Sequence, residues 1–274
     1  MGLLSILLVG SGLFFADQEK GRFERKAASD ILAQMVEGKG KVEVRVEPTL
    51  LGGLTGELHS ATIRGSEFQL DEMPLFLEPE RSKSGKIGEL RLELKEFQLR
   101  KLRVSELKAT IPGCRYDYGL AKSKSQIRVS QTGEGDGYVK LLEQDLADYL
   151  VAKYHEIKSC KVKLHGDTVW VEGYGEFLIV NSKFAVIGQV KIVDGTKLML
   201  DNPSIYFDWV KADPLATQGL LKILNPIVDL ERDLGLANAV TVEKVKMKDG
   251  VLTASGKTRI PTRPSDDSVS EVRK

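Results

Sequence analysis

The residues with the broadest chemical range in this chain are three histidines and two cysteines. His59, His155 and His165 fall on separate segments, with no His-Glu-x-x-His spacing among them. Cys160 stands five residues from both His155 and His165, which gives a zinc ion three ligands and no fourth. Cys114 and Cys160 are too few for a disulfide framework, and spacing leaves open whether they pair. No Gly-x-Ser-x-Gly elbow is present. The GEGDG run at 133–137 lacks the Gly-Lys-Ser/Thr ending of a phosphate loop and precedes strand-like YVKLL, so it reads as a turn. Carboxylates alternate with Lys and Arg, as in RLELKE and ERDLG, the habit of solvated faces. Glu143, Asp145 and Asp148 suit the first turns of a helix, where negative charge meets unpaired N–H groups. These residues call for no catalytic group, no metal and no cofactor, and the chain reads as a non-enzyme.

Charge narrows the partners. Among 274 residues, 40 Lys and Arg face 39 Asp and Glu, for a net charge of +1. A nucleic-acid binder needs a basic surplus, which is missing here. The 42% hydrophobic content is that of a globular protein. Two local basic groups remain: Lys20, Arg22, Arg25 and Lys26, diluted by Asp17, Glu19 and Glu24, and the smaller set Arg115, Lys122 and Lys124. Trp170, Tyr174, Tyr206, Phe207 and Trp209 suit a core, a groove or an interface.

The elements that must position these residues begin with an uncharged stretch, GLLSILLVGSGLFFA, at residues 2–16. It is shorter than the roughly 20 residues that span a bilayer, it lacks a positive n-region, and cleavage after Ala16 would put Phe14 at −3. A buried first helix is one reading; a short uncleaved membrane anchor, residues 1–16, is the favoured one. It implies a membrane-associated protein, and the mixed-charge flank DQEKGRFERK gives no firm orientation. A helix over 17–37 follows, with Phe23, Ala27, Ile31 and Met35 four apart.

Period-two alternation then takes over. Val42, Val44 and Val46 share one face, and Leu90, Leu92 and Leu94 another. Leu50–Leu54 forms an apolar, glycine-containing bend. Phe97, Leu99, Leu102, Val104 and Leu107 alternate with a change of face, read as a bulge. A second helix spans 143–157 and a third 216–230, the latter bent or split by Pro226. Hairpins turn at Gly166-Asp167, Asp194-Gly195 and Asp249-Gly250, and 204–210 is one strand. Each half is thus a helix followed by strands. The expectation is one domain over 17–260, built of halves 17–131 and 132–260, and a disordered tail over 261–274.

The fold class that follows is α+β: a long antiparallel sheet curled around two or three helices. Three helices cover only part of such a sheet. Either the sheet closes on itself as a ligand-free structural scaffold at a membrane, or an apolar groove stays open. Beside an anchor, an open groove suits a lipid, since each buried methylene contributes about 0.8 kcal/mol. Leu50, Leu51 and Leu54, with Leu220, Leu221, Leu224 and Ile227, are the candidate lining residues, being apolar and without charged partners.

Several segments carry a family likeness: ERKAASDILAQ, KVEVRVEPTLLGGLTGELHSATIRG, LLEQDLADYL, KVKLHGDTVWVEGYG, LNPIVDLERDLGL and VTVEKVKMKDGVLTASG. In their order the chain resembles the LmeA-like phospholipid-binding proteins of bacterial envelopes over residues 20–257. The resemblance implies an extracytoplasmic protein that binds phospholipid and serves envelope lipid or glycolipid maintenance. It also implies a twisted sheet wrapped on helices, akin to tubular lipid-binding modules. The expected partner is therefore a phospholipid or a membrane surface.

Overall fold

The computed structural model describes residues 17–33, 40–71, 75–177 and 180–262. The expected anchor over 1–16 and the tail beyond Thr262 lie outside the described residues. Helix α1 (Asp17–Leu32) leads into β1 (Lys41–Pro48), α2 (Gly52–Thr55), β2 (Glu57–Ser66) and β3 (Gln69–Leu70). The chain continues through β4 (Gly85–Leu99), β5 (Leu102–Tyr116), α3 (Tyr118–Lys124), β6 (Val129–Gln131), β7 (Gly135–Leu142) and α4 (Glu143–Lys153). Then come β8 (Ile157–His165), β9 (Thr168–Phe177), β10 (Val180–Val193), β11 (Lys197–Phe207) and β12 (Val210–Lys211). The last are α5 (Pro214–Leu224), β13 (Val228–Asp229), β14 (Val240–Lys248) and β15 (Val251–Thr258).

The class is α+β, with two sheets where one was expected. The first runs β1-β2-β4-β5-β7-β15-β14, with β3 beside β4 and β6 beside β5. The second runs β12-β11-β10-β9-β8, with β13 beside β11. Pairing is antiparallel except where β2 and β3 run parallel to β4. Leu70 lies opposite Leu99, at the far end of β4 from its start at Gly85, so β4 runs in the direction of β2. Strands β7, β14 and β15 from the second half of the chain complete the sheet begun by the first.

Several local expectations are corrected. The change of face after Leu99 is a two-residue hairpin, with Leu99 opposite Leu102. Arg100 turns it at φ 52° and is tethered there, donating from Nε to Asp71 O at 3.0 Å and from Nη1 to Arg232 O at 2.9 Å. The 204–210 stretch also folds back, through Asp208 and Trp209, into β12. The third helix starts earlier and stops at Leu224, because the Asn225 side chain leaves it to bond both polar groups of Leu200. The GEGDG run enters β7 from Gly135 onward, packed too close to Thr110 O for a side chain. Pro261 and Thr262, assigned to the tail, bridge to Leu77.

Two apolar cores sit on the first sheet. One gathers Val46, Leu58, Ile87, Leu92 and Ile111 beneath Phe23 and Ala27 of α1. The other joins Phe97, Leu99, Leu102 and Val104 to the second sheet and α4. The β4–β5 hairpin runs through both; at about 3.3 Å per residue its 15-residue strands reach roughly 50 Å.

Candidate functional site

Alternation along β8–β11 turns Val162, Leu164, Val169, Val186, Leu198 and Leu200 to one face. That face meets α4, whose Leu146, Tyr149 and Leu150 are buried against it. Asp145, in the first turn of this helix, reaches back to its N-terminus, Oδ2 accepting from Leu142 N at 2.9 Å. Glu143 ties the helix to β8, accepting from Leu164 N at 2.8 Å.

Packing between these layers is incomplete. A cavity of about 70 Å³ lies between the second sheet and α4, with Leu224 and Ile227 among its walls. A second, of about 120 Å³, lies beneath the β4–β5 tip and the β14–β15 hairpin. Both are bordered by Leu198, Val228 and Leu252, so these three side chains form the partition. The walls are almost wholly apolar, and the volumes admit several water-sized groups that would find no hydrogen-bond partners.

Helix α5 borders the first cavity. Asp213 begins it, Oδ1 accepting from Leu215 N at 2.8 Å and Ala216 N at 2.9 Å, and Pro214 occupies the first turn. Its far end is held by a polar cluster. Lys153 Nζ donates to Pro226 O and Ile227 O, both at 2.8 Å, and to Asp233 Oδ2 at 2.6 Å. Tyr149 donates to Asp233 Oδ2 at 2.9 Å, and Tyr154 to Leu224 O at 2.8 Å. Burial pushes both tyrosine hydroxyls well above their ordinary range, so they stay neutral donors. Their rings face the cavity while the hydroxyls bond away from its apolar walls.

The expected lining residues divide. Leu224 and Ile227 border the first cavity, and Leu220 and Leu221 pack against the same core. Leu50, Leu51 and Leu54 border neither cavity; they are exposed on the loop and short helix between β1 and β2. There the buried contacts are made by Gly52 and Gly53, with Tyr118 donating to Gly53 O, which leaves the leucines outward. Val186, Leu198, Val228 and Leu252 were missed as lining residues. Alternation marks them as inward-facing, but nothing in it separates a filled face from a hollow one.

The reactive side chains stay apart. Cys114 and Cys160 are free thiols in different cores. Burial pushes Cys114 up to about 12 and Cys160 up to about 11, so both are protonated at neutral pH. Among the described residues, no three His, Cys, Asp or Glu side chains gather to hold a metal ion. Among the expected aromatics, Trp170, Tyr174 and Trp209 are exposed, while Phe207 packs against the larger core. Among the described residues, no helix is long and apolar enough to cross a membrane. No family model, no curated protein and no solved structure matches the chain.

Proposed function

We propose that this protein binds a phospholipid or related lipid by taking acyl chain into the paired apolar cavities between its sheets. The observation that carries this reading is the shared wall: among the described residues, two hollows with almost no polar lining meet at Leu198, Val228 and Leu252. A polar ligand would lose its hydrogen bonds there, whereas a methylene chain gains about 0.8 kcal/mol per buried group. The likeness to LmeA-like proteins supports a phospholipid, a fold akin to tubular lipid-binding modules, and a place beside an envelope membrane. The uncharged stretch at 2–16 would hold the protein there.

Native mass spectrometry of protein purified without detergent tests the reading. Lipid-sized adducts are expected, and Val186→Trp, which places an indole in the first cavity, should abolish or shorten them. Absence of adducts, together with no uptake from phosphatidylcholine or phosphatidylglycerol vesicles, would leave a ligand-free scaffold as the better account.

A further inference from the structure

The β11–β12 turn breaks the usual chemistry of a two-residue hairpin. Phe207 pairs with Val210, so Asp208 and Trp209 are the turn residues, at φ 47° and 67°. Both central positions with positive φ favour Asn-Gly, and a bulky side chain there is a conformational outlier. The indole is nevertheless 67% exposed, so burial does not compensate the strain. Strain of this kind points to a use elsewhere.

The neighbours extend the anomaly. Val210 is 71% exposed and Leu215, in the first turn of α5, is 80% exposed. Along the same helix Gln218, Gly219 and Lys222 are also exposed. Lys211 follows Val210, and Lys183 flanks the turn, its carbonyl accepting from Asp208 N at 2.9 Å. Among the described residues Lys183, Lys211 and Lys222 enter no ion pair. Asp208 and Asp213 share this surface and offset part of the lysine charge; both bond backbone N–H groups, Asp208 Oδ1 accepting from Lys183 N at 3.2 Å and Asp213 capping α5. An exposed tryptophan and valine at a turn flanked by Lys183 and Lys211, followed in the chain by α5 with exposed Leu215 and Lys222, match the region where acyl chains meet anionic headgroups. The patch is continuous with α5, whose other end, at Leu224, borders the first cavity.

We propose that the Asp208-Trp209 turn and the exposed face of α5 seat the protein on an anionic lipid bilayer. Trp209, Val210 and Leu215 enter the interface, and Lys183, Lys211 and Lys222 meet the phosphates. Lipid would then pass to the cavity beside α5. The choice of a bilayer as occupant rests on the lipid reading above.

Co-sedimentation of the full chain with vesicles tests this, comparing phosphatidylcholine alone with equal parts phosphatidylcholine and phosphatidylglycerol. Wild-type protein should pellet with the mixed vesicles, and in a Trp170→Phe background the Trp209 emission should shift to the blue. The Trp209→Ser/Val210→Ser/Leu215→Ser variant should lose about tenfold in partitioning with unchanged circular dichroism. Lys183→Gln/Lys211→Gln/Lys222→Gln should lose the preference for anionic vesicles. Trp209→Gly separates docking from folding: Tm should hold or rise, because the positive φ suits glycine, while vesicle binding falls. Undiminished pelleting of the triple serine variant overturns the proposal. So does loss caused instead by Leu50→Ser/Leu51→Ser/Leu54→Ser, or a concentration-dependent dimer through Trp209 with no vesicle binding. Wild-type protein that docks through Trp209 yet carries no lipid by mass spectrometry would sink the cavity reading and leave this one standing.

Discussion

Lys153 is the side chain on which the border of the first cavity most depends. Its ammonium satisfies Pro226 O, Ile227 O and Asp233 together, at 13% side-chain exposure. Burial works to raise the Asp233 pKa, but hydrogen bonds from Lys153, Asp229 N and Tyr149 outweigh it and hold the carboxyl below its usual range. An unfolded aspartate titrates near about 3.9. The Asp233 contribution to stability is therefore complete above that value and is lost as pH falls through the lower folded value. Asp145 acts in the opposite sense: burial raises its pKa, against the Leu142 N–H bond and Arg103, so its ionised form is disfavoured in the fold. Lys153→Met removes the nearer counter-ion of buried Asp233, which keeps Tyr149, Asp229 N and the more exposed Arg232. It also removes one donor each from Pro226 O and Ile227 O, and should cost about 3 kcal/mol at pH 7. Urea unfolding of the two proteins across the acid range checks this, and the gap between them should narrow as Asp233 protonates. A gap that is small at pH 7 or independent of pH would show that the cluster does not hold the loop.

The elements were legible in the sequence to different depths, for physical reasons. Side chains that alternate between core and water announced most strands, and Asp-Gly or Gly-Asp pairs announced three hairpins, because both signals are local. The turns at Arg100 and at Asp208-Trp209 carry no glycine, and the first is held by bonds to residues distant in the chain, so no local signal existed. A curled sheet was expected, but its division into two was equally hidden. Local irregularities were hidden as well, such as the bulges beside Ser159 and Val242, each facing a glycine. A Cβ on Gly173 or Gly256 would stand 2.0 Å from the Ser159 or Thr241 carbonyl. The start of α5 was also misplaced, although Asp213-Pro214 is a cap signal readable in sequence. Asp213→Ala removes that cap and should cost about 1 kcal/mol. Amide exchange should quicken across 215–218 while β8–β10 keep their protection. Equal acceleration in those strands would mean that α5 does not open separately from the sheet beside it.

On the scale of the whole molecule, one sheet serves two cores of different completeness. A leucine truncated in either leaves a void and should destabilise the protein by about 3 kcal/mol. The consequences beyond that loss should differ. Leu92 belongs to the core beneath α1, away from both cavities, so Leu92→Ala should lower stability alone. Leu198 stands between the cavities, so Leu198→Ala should join them into one longer hollow. If the interior holds acyl chain, the joined hollow should accept a longer one, and lipid binding to the folded state should return part of the lost stability through mass action. Thermal unfolding of delipidated protein with added phosphatidylglycerols of increasing chain length measures both effects. For Leu198→Ala the rise in Tm should grow toward longer chains than it does for wild type, and Leu92→Ala should keep the wild-type dependence. Identical chain-length profiles in all three proteins would mean that the partition does not meet lipid, and that the hollows are packing voids in a scaffold.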